Sequence, residues 1–255
     1  VETINWADDQ NIYFICAHLG TSQVFKTSLA GKGVEKVTEG SHQLGSLKLS
    51  AGRMAVSLMS FSLAPEVASV DMTTGEVSQL AGINKPVYDV IRMGKFEEKY
   101  VRTKDGKDLQ MWVIYPPDFD PAKKYPLILV THGGPTWYKL NDWCPHWEMQ
   151  PIHAYAAEGF CMIFPNVRGS ANYGLEFREA NHHDLGGGDF RDAMRAVDVL
   201  LGKGFIDENR IGVCGWSYGG YLTPAIITKT TRFKAAQFGA GIPSFEAMYA
   251  RLSTV

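Results

Sequence analysis

Ser217 lies at the centre of Gly215-Trp216-Ser217-Tyr218-Gly219. A serine hydroxyl attacks a carbonyl only when it is exposed, relieved of its proton and placed beside donors for the oxyanion that forms. Glycines two residues before and two after leave room for a turn so sharp that the flanking chain segments nearly touch, and Gly220 extends that clearance. The run Ile211 to Cys214 has the composition of a buried strand and the residues after Gly219 that of a helix, so the motif has the strand-turn-helix setting it requires. That setting puts Ser217 near a helix N-terminus, where unpaired N–H groups and the dipole favour negative charge. His132-Gly133-Gly134-Pro135 follows a second strand-like run, Leu127 to Thr131. Its glycines let the backbone approach a substrate carbonyl, so the N–H groups of Gly134 and Tyr218 are the expected oxyanion donors. His132 belongs to that loop and is expected to position it, not to act as the base.

Other polar clusters promise less. In His182-His183-Asp184 adjacent side chains are expected to diverge, which argues against both a base with its acid and a metal pair. Gly186-Gly187-Gly188 lacks the lysine and hydroxyl of a phosphate loop and reads as flexibility before a helix. Cys16, Cys144, Cys161 and Cys214 are far apart, without metal-ligand spacing, and read as free thiols. No metal and no cofactor is called for. A balance of 25 basic against 27 acidic residues gives no electrostatic reason for a nucleic-acid partner. The long uncharged stretch from Ile211 to Thr228 holds glycines and a proline and does not read as a membrane span.

The elements that must position Ser217 begin near Glu98. Lys99 to Arg102 and Gln110 to Tyr115 flank Lys104-Asp105-Gly106 as a hairpin. The apolar runs Leu127 to Thr131 and Phe160 to Phe164 read as strands, separated by a helix from Ile152 to Glu158. Asp189 to Leu201 is predicted as a helix capped by Asp189, with Phe190, Met194, Val197 and Leu201 on its packed face. Strands alternating with helices imply a mostly parallel sheet with helices on both faces, here an α/β-hydrolase fold over residues 83–255. Residues 1–82 have all-β texture instead. Gln23-Val24-Phe25 superposes on Glu66-Val67-Ala68 with a period of about 43 residues, the length of a four-stranded propeller blade. Two blades cannot close a ring, so the last blades of an incomplete β-propeller are expected.

The chain resembles the prolyl oligopeptidase family of serine peptidases, on its acylaminoacyl-peptidase and dipeptidyl-peptidase side. The resemblance rests on His132 to Pro135, on Asn166-Val167-Arg168-Gly169-Ser170 with Tyr173-Gly174, and on Gly204-Phe205-Ile206-Asp207 through Arg210-Ile211-Gly212-Val213 to Tyr221. It implies Ser217 as nucleophile, Tyr218 as oxyanion donor, Arg168 as holder of a substrate carbonyl, and Ile242, Phe245 and Met248 as the pocket for the residue before the cut bond. It also implies short peptides as substrates and leaves a homo-oligomer open. A carboxylesterase on the same fold and a non-catalytic relative are the alternatives. Such folds order their triad as nucleophile, acid, histidine, yet all seven histidines precede Ser217 and residues 218–255 contain no Asp. The chain is therefore expected to be a piece of a longer enzyme, truncated at both ends and without turnover on its own.

Overall fold

In the computed structural model, residues 2–31, 33–143, 151–242 and 244–252 are described, with side chains between residues 4 and 250; Cys144 lies outside this set. Two compact units form: residues 1–92 with 140–144, and residues 93–139 with 145–255.

The first unit contains two antiparallel meanders. Strands β1 (Glu2–Trp6), β2 (Asn11–His18), β3 (Thr21–Ser28) and β4 (Val34–Lys36) make one; β5 (Gln43–Ser50), β6 (Arg53–Ser60), β7 (Leu63–Val70) and β8 (Val77–Gln79) make the other. They join through one parallel pair, Ser22 with Gln43. β2, β3 and β4 open at residues 11, 21 and 34, and β6, β7 and β8 at residues 53, 63 and 77, steps of 42, 42 and 43. The residues that the repeat superposes do equivalent jobs. Gln23, buried in β3, accepts from Thr38 Oγ1 at 2.7 Å and donates to Gly40 O at 2.7 Å, tying down the chain after β4. Glu66, buried in β7, accepts from the N–H groups of Ile83 (3.1 Å) and Asn84 (2.7 Å), tying down the chain after β8. Helix α1 (Lys85–Tyr88) continues from there, and its Tyr88 hydroxyl accepts from Ala64 N at 2.8 Å. These bonds carry the unit past residue 82, where the composition changes, to residue 92. Asn141 is pinned into the same unit, accepting from Phe61 N and donating to Ser41 O, both at 2.7 Å.

The second unit is a six-stranded mixed sheet with helices. In chain order it comprises β9 (Lys95–Arg102), β10 (Asp108–Tyr115), β11 (Tyr125–Thr131), α2 (Ile152–Ala157), β12 (Cys161–Pro165), α3 (Leu175–Glu179), α4 (Gly188–Leu201), β13 (Ile206–Trp216), α5 (Tyr218–Ile227), β14 (Ala235–Gly239) and α6 (Phe245–Leu252). The spatial order is β14-β13-β11-β12-β10-β9. β12, β11, β13 and β14 run parallel, while β9 and β10 add an antiparallel edge. β11 and β12 are near-continuous apolar runs, as the covered middle of a sheet requires, whereas β13 is apolar only from Ile211 and the edge strand β14 is largely exposed; Cys161 and Cys214 are buried free thiols in β12 and β13.

Helix α4 departs from the predicted face. Its fully buried positions are Asp189, Asp192, Ala193, Ala196, Val197 and Leu200, while Phe190, Met194 and Leu201 are only partly buried. The stripe turns by about one residue because two small alanines let the helix lie close to the sheet and two acids find partners inside it. The cap position falls on Gly187, and Asp189 lies within the first turn.

Removing the carboxylate that closes the second meander is expected to cost about 2–3 kcal/mol in Glu66→Ala, because two N–H groups lose their acceptor. Urea unfolding checks this, with the exposed Val67→Ala expected to shift the midpoint little.

Candidate active site

Ser217 stands between the end of β13 and the start of α5 with φ 58° and ψ −117°, a region that L-residues occupy only under constraint. The constraint is close approach. A Cβ on Gly215 would lie 2.2 Å from Thr131 Oγ1 and 2.4 Å from Gly219 O, and one on Gly219 would lie 2.0 Å from Thr131 O. On the other side, a Cβ on Gly220 would lie 2.3 Å from Gly239 O. The elbow is thus wedged between the ends of β11 and β14, and any side chain at these glycines would push it open. The Ser217 N–H donates to Gly239 O at 3.0 Å, and the side chain is exposed. Among the described residues no side chain hydrogen-bonds its Oγ.

Tyr218 is the first residue of α5, so its N–H has no acceptor within the helix. Gly134 adopts φ 119° in the facing loop, as the glycine-rich reading requires. The loop residue that abuts Ser217 is Gly133, where a Cβ would come within 3.3 Å of Ser217 Cβ and 3.8 Å of its Oγ. The loop is anchored at both ends. Lys139 N donates to Asn166 Oδ1 at 2.6 Å and Lys139 O accepts from Asn166 Nδ2 at 2.9 Å, with Asn166 fully buried. His132, also buried, has Nδ1 2.7 Å from Gly133 O and Nε2 2.8 Å from Ser170 Oγ. Ser170 Oγ also lies 2.6 Å from Val167 O and has one proton for the two, so a neutral imidazole that donates to Gly133 O can accept at Nε2 only when that proton is turned towards it. Burial pushes the ring down from 6.5 to about 4, against a smaller opposing contribution from the Gly133 carbonyl.

Arg168 follows β12 and is buried. Its Nε and Nη2 donate to Asp192 at 2.9 and 2.7 Å, and its Nη1 and Nη2 to Asp105 at 2.9 and 3.1 Å. Four of the five guanidinium N–H groups are thereby used, leaving one on Nη1. The hydrogen bonds it donates to Asp192, then to Asp105, hold the guanidinium even more firmly protonated than usual, and Arg168 holds Asp105 well below the carboxylate range. Phe245 packs on Tyr221 with ring centroids 4.8 Å apart; Phe245 and Met248 are exposed on α6, and Ile242 is half-buried just before it.

Two expectations are corrected. The glycine triplet is a packing requirement, not slack: a Cβ on Gly187 would lie 1.9 Å from Asp184 Oδ1, and one on Gly188 would lie 2.4 Å from Arg168 Cδ. His182 and His183 do not diverge, because His183 has φ 60° and this bend brings the ring centroids to 3.9 Å. Sequence reasoning also passed over Asp105 and Asp192. Their signal was faint: an acid inside a turn, and an acid on the otherwise apolar face of a helix.

Residues 145–254 match the sequence model of the Prolyl oligopeptidase family. The chain carries that family match over 110 of its 255 residues. It is 31% identical over 252 residues to Dipeptidyl-peptidase 5 of Porphyromonas gingivalis, covering 98% of this chain and 36% of that protein. It is 32% identical over 232 residues to Uncharacterized peptidase YuxL of Bacillus subtilis, covering 90% and 34%. Acylaminoacyl peptidase of Pyrococcus horikoshii shares the fold, with a TM-score of 0.83 at 23% identity over 98% of this chain and 39% of that one. The chain thus spans about a third of the length of the curated relatives it matches. Among the described residues no helix is long and apolar enough to cross a membrane.

The His132 ring gives the fold a pH dependence. In the unfolded chain it takes up a proton below about 6.5, whereas in the folded state it resists until about 4. Its contribution is therefore complete above pH 6.5 and is lost as the pH falls, amounting to about 3 kcal/mol by pH 4. Urea midpoints measured between pH 7 and 4 should fall less steeply in His132→Gln.

Proposed function

We propose that the protein to which these residues belong is a serine peptidase that hydrolyses short peptides through an acyl-enzyme on Ser217. The second unit is read as the nucleophile-bearing part of an α/β-hydrolase domain and the first unit as blades of a β-propeller that restricts access to it. The observation that carries the reading is the backbone of Ser217, held at φ 58° where a strand meets a helix N-terminus. In that position Oγ can attack a carbonyl carbon while the carbonyl electrons move to oxygen, where the N–H groups of Tyr218 and Gly134 receive the charge. Collapse of the tetrahedral species expels the amine, and water then releases the acid. Arg168 can offer a substrate carbonyl its remaining Nη1 proton, while Asp105 and Asp192 fix the plane of the guanidinium. Ile242, Phe245 and Met248 supply an apolar wall for the residue before the cut bond.

Peptidase chemistry is favoured over an esterase because the similar proteins are named as peptidases, including a dipeptidyl-peptidase and an acylaminoacyl peptidase. In the full-length protein, Ser217→Ala should lower hydrolysis of blocked and free dipeptide substrates by at least about 10⁴-fold while leaving the unfolding midpoint unchanged. Near-normal turnover in that variant would sink the assignment, and hydrolysis of simple esters without any peptide cleavage would favour the esterase.

A further inference from the structure

Asp189 takes no part in the chemistry just described, yet it is fully buried beside the elbow. We infer that Asp189 is a positioning residue for the oxyanion site, acting through the phenol of Tyr218 on that residue's own backbone N–H. The inference rests on the serine-peptidase reading above.

Asp189 projects from the first turn of α4, and its Oδ2 accepts the hydroxyl proton of Tyr218. The same oxygen accepts from Gly186 N at 3.3 Å, and Oδ1 accepts from Phe190 N at 2.8 Å. Three donors on two oxygens set the orientation of the carboxylate, so it acts as a fixed acceptor. Burial raises its pKa, opposed by the bond from Tyr218 and then by the two amides. Burial and the neighbouring carboxylate likewise push the Tyr218 phenol up, which keeps it the donor of the pair.

What the bond does follows from where Tyr218 sits. Its Cα is the first of α5 and its N–H belongs to the peptide plane that follows Ser217. Ser217 occupies a backbone region that costs about 1–3 kcal/mol, so this plane tends to swing toward a relaxed geometry unless held. Backbone contacts from Thr131 and Gly239 restrain the elbow on the sheet side. On the helix side, the restraint is a rigid ring fastened at its far end to α4 and at its near end to the peptide plane itself. Groups that hold a functional donor within a few tenths of an ångström act in this way.

The test uses the full-length protein with Tyr218→Phe, Asp189→Asn and the double variant. Labelling of Ser217 by a fluorophosphonate, kcat and KM on a small activated ester, and the melting temperature are measured on each. Removing an oxyanion donor outright costs about 10²–10³-fold, and misaiming one should cost less, about tenfold. Tyr218→Phe is therefore expected to lower kcat and the labelling rate about tenfold with KM little changed, a split that a purely structural bond would not produce. Asp189→Asn, which keeps an acceptor oxygen for the phenol, should retain most of the rate, and adding it to Tyr218→Phe should cost little more in kcat. Full-rate labelling and unchanged kcat in Tyr218→Phe, even with a lowered melting temperature, would overturn the inference alone. If Ser217 of the unsubstituted protein is not labelled, the serine-peptidase reading falls and the inference falls with it.

Discussion

The site depends on one backbone constraint, the conformation of Ser217 at the junction of β13 and α5. Such a conformation persists only where its surroundings leave no alternative. Thr131, at the end of β11, supplies much of that enclosure: its Oγ1 lies 3.2 Å from Cys214 O, 3.1 Å from Gly219 O and 3.3 Å from Thr223 Oγ1. One hydroxyl thereby touches the strand before Ser217 and the helix after it. The absent Cβ atoms of Gly215 and Gly219 are what permit the contact, since either would collide with Thr131. The parallel register of β11 with β13, Thr131 opposite Gly215, sets this distance.

The first turn of α4 holds the site from the other side. Asp189 and Asp192 stand three residues apart on one helical face and reach different walls, Asp189 the elbow through Tyr218 and Asp192 the loop after β12 through Arg168. Buried acids are tolerated only where they are paired or saturated with donors, and both conditions are met. Gly188 lets the helix backbone come close enough for this, because a side chain there would displace Arg168. The glycine-rich loop, the elbow and the arginine are therefore positioned by buried polar contacts built on a hydrophobic sheet.

In the first unit the same device appears without chemistry. The two meanders share one hydrophobic core, and in each a polar side chain of the third strand fastens the chain that follows its last. Gln23 and Glu66 differ in charge but occupy the same place in the repeat. Each junction buries polar groups that need a side-chain partner, two backbone N–H groups for Glu66 and a hydroxyl and a carbonyl for Gln23.

The sequence by itself determined the elbow, the glycine-rich loop facing it, the order of strands and helices from β9 to α5 apart from the short α3, and the two-fold repeat in the first unit. These are local properties: turn geometry forces glycine at set spacings, and apolar periodicity marks elements irrespective of what they pack against. Tertiary structure alone decided which side of α4 faces inward, that Arg168 spends most of its donors on Asp105 and Asp192, and that three adjacent glycines are packed instead of loose. The arginine's partners lie far away in the chain, 24 residues for Asp192 and 63 for Asp105. A buried charge is legible only once its counter-charge is in place, because burial without a partner is too costly to be the folded state.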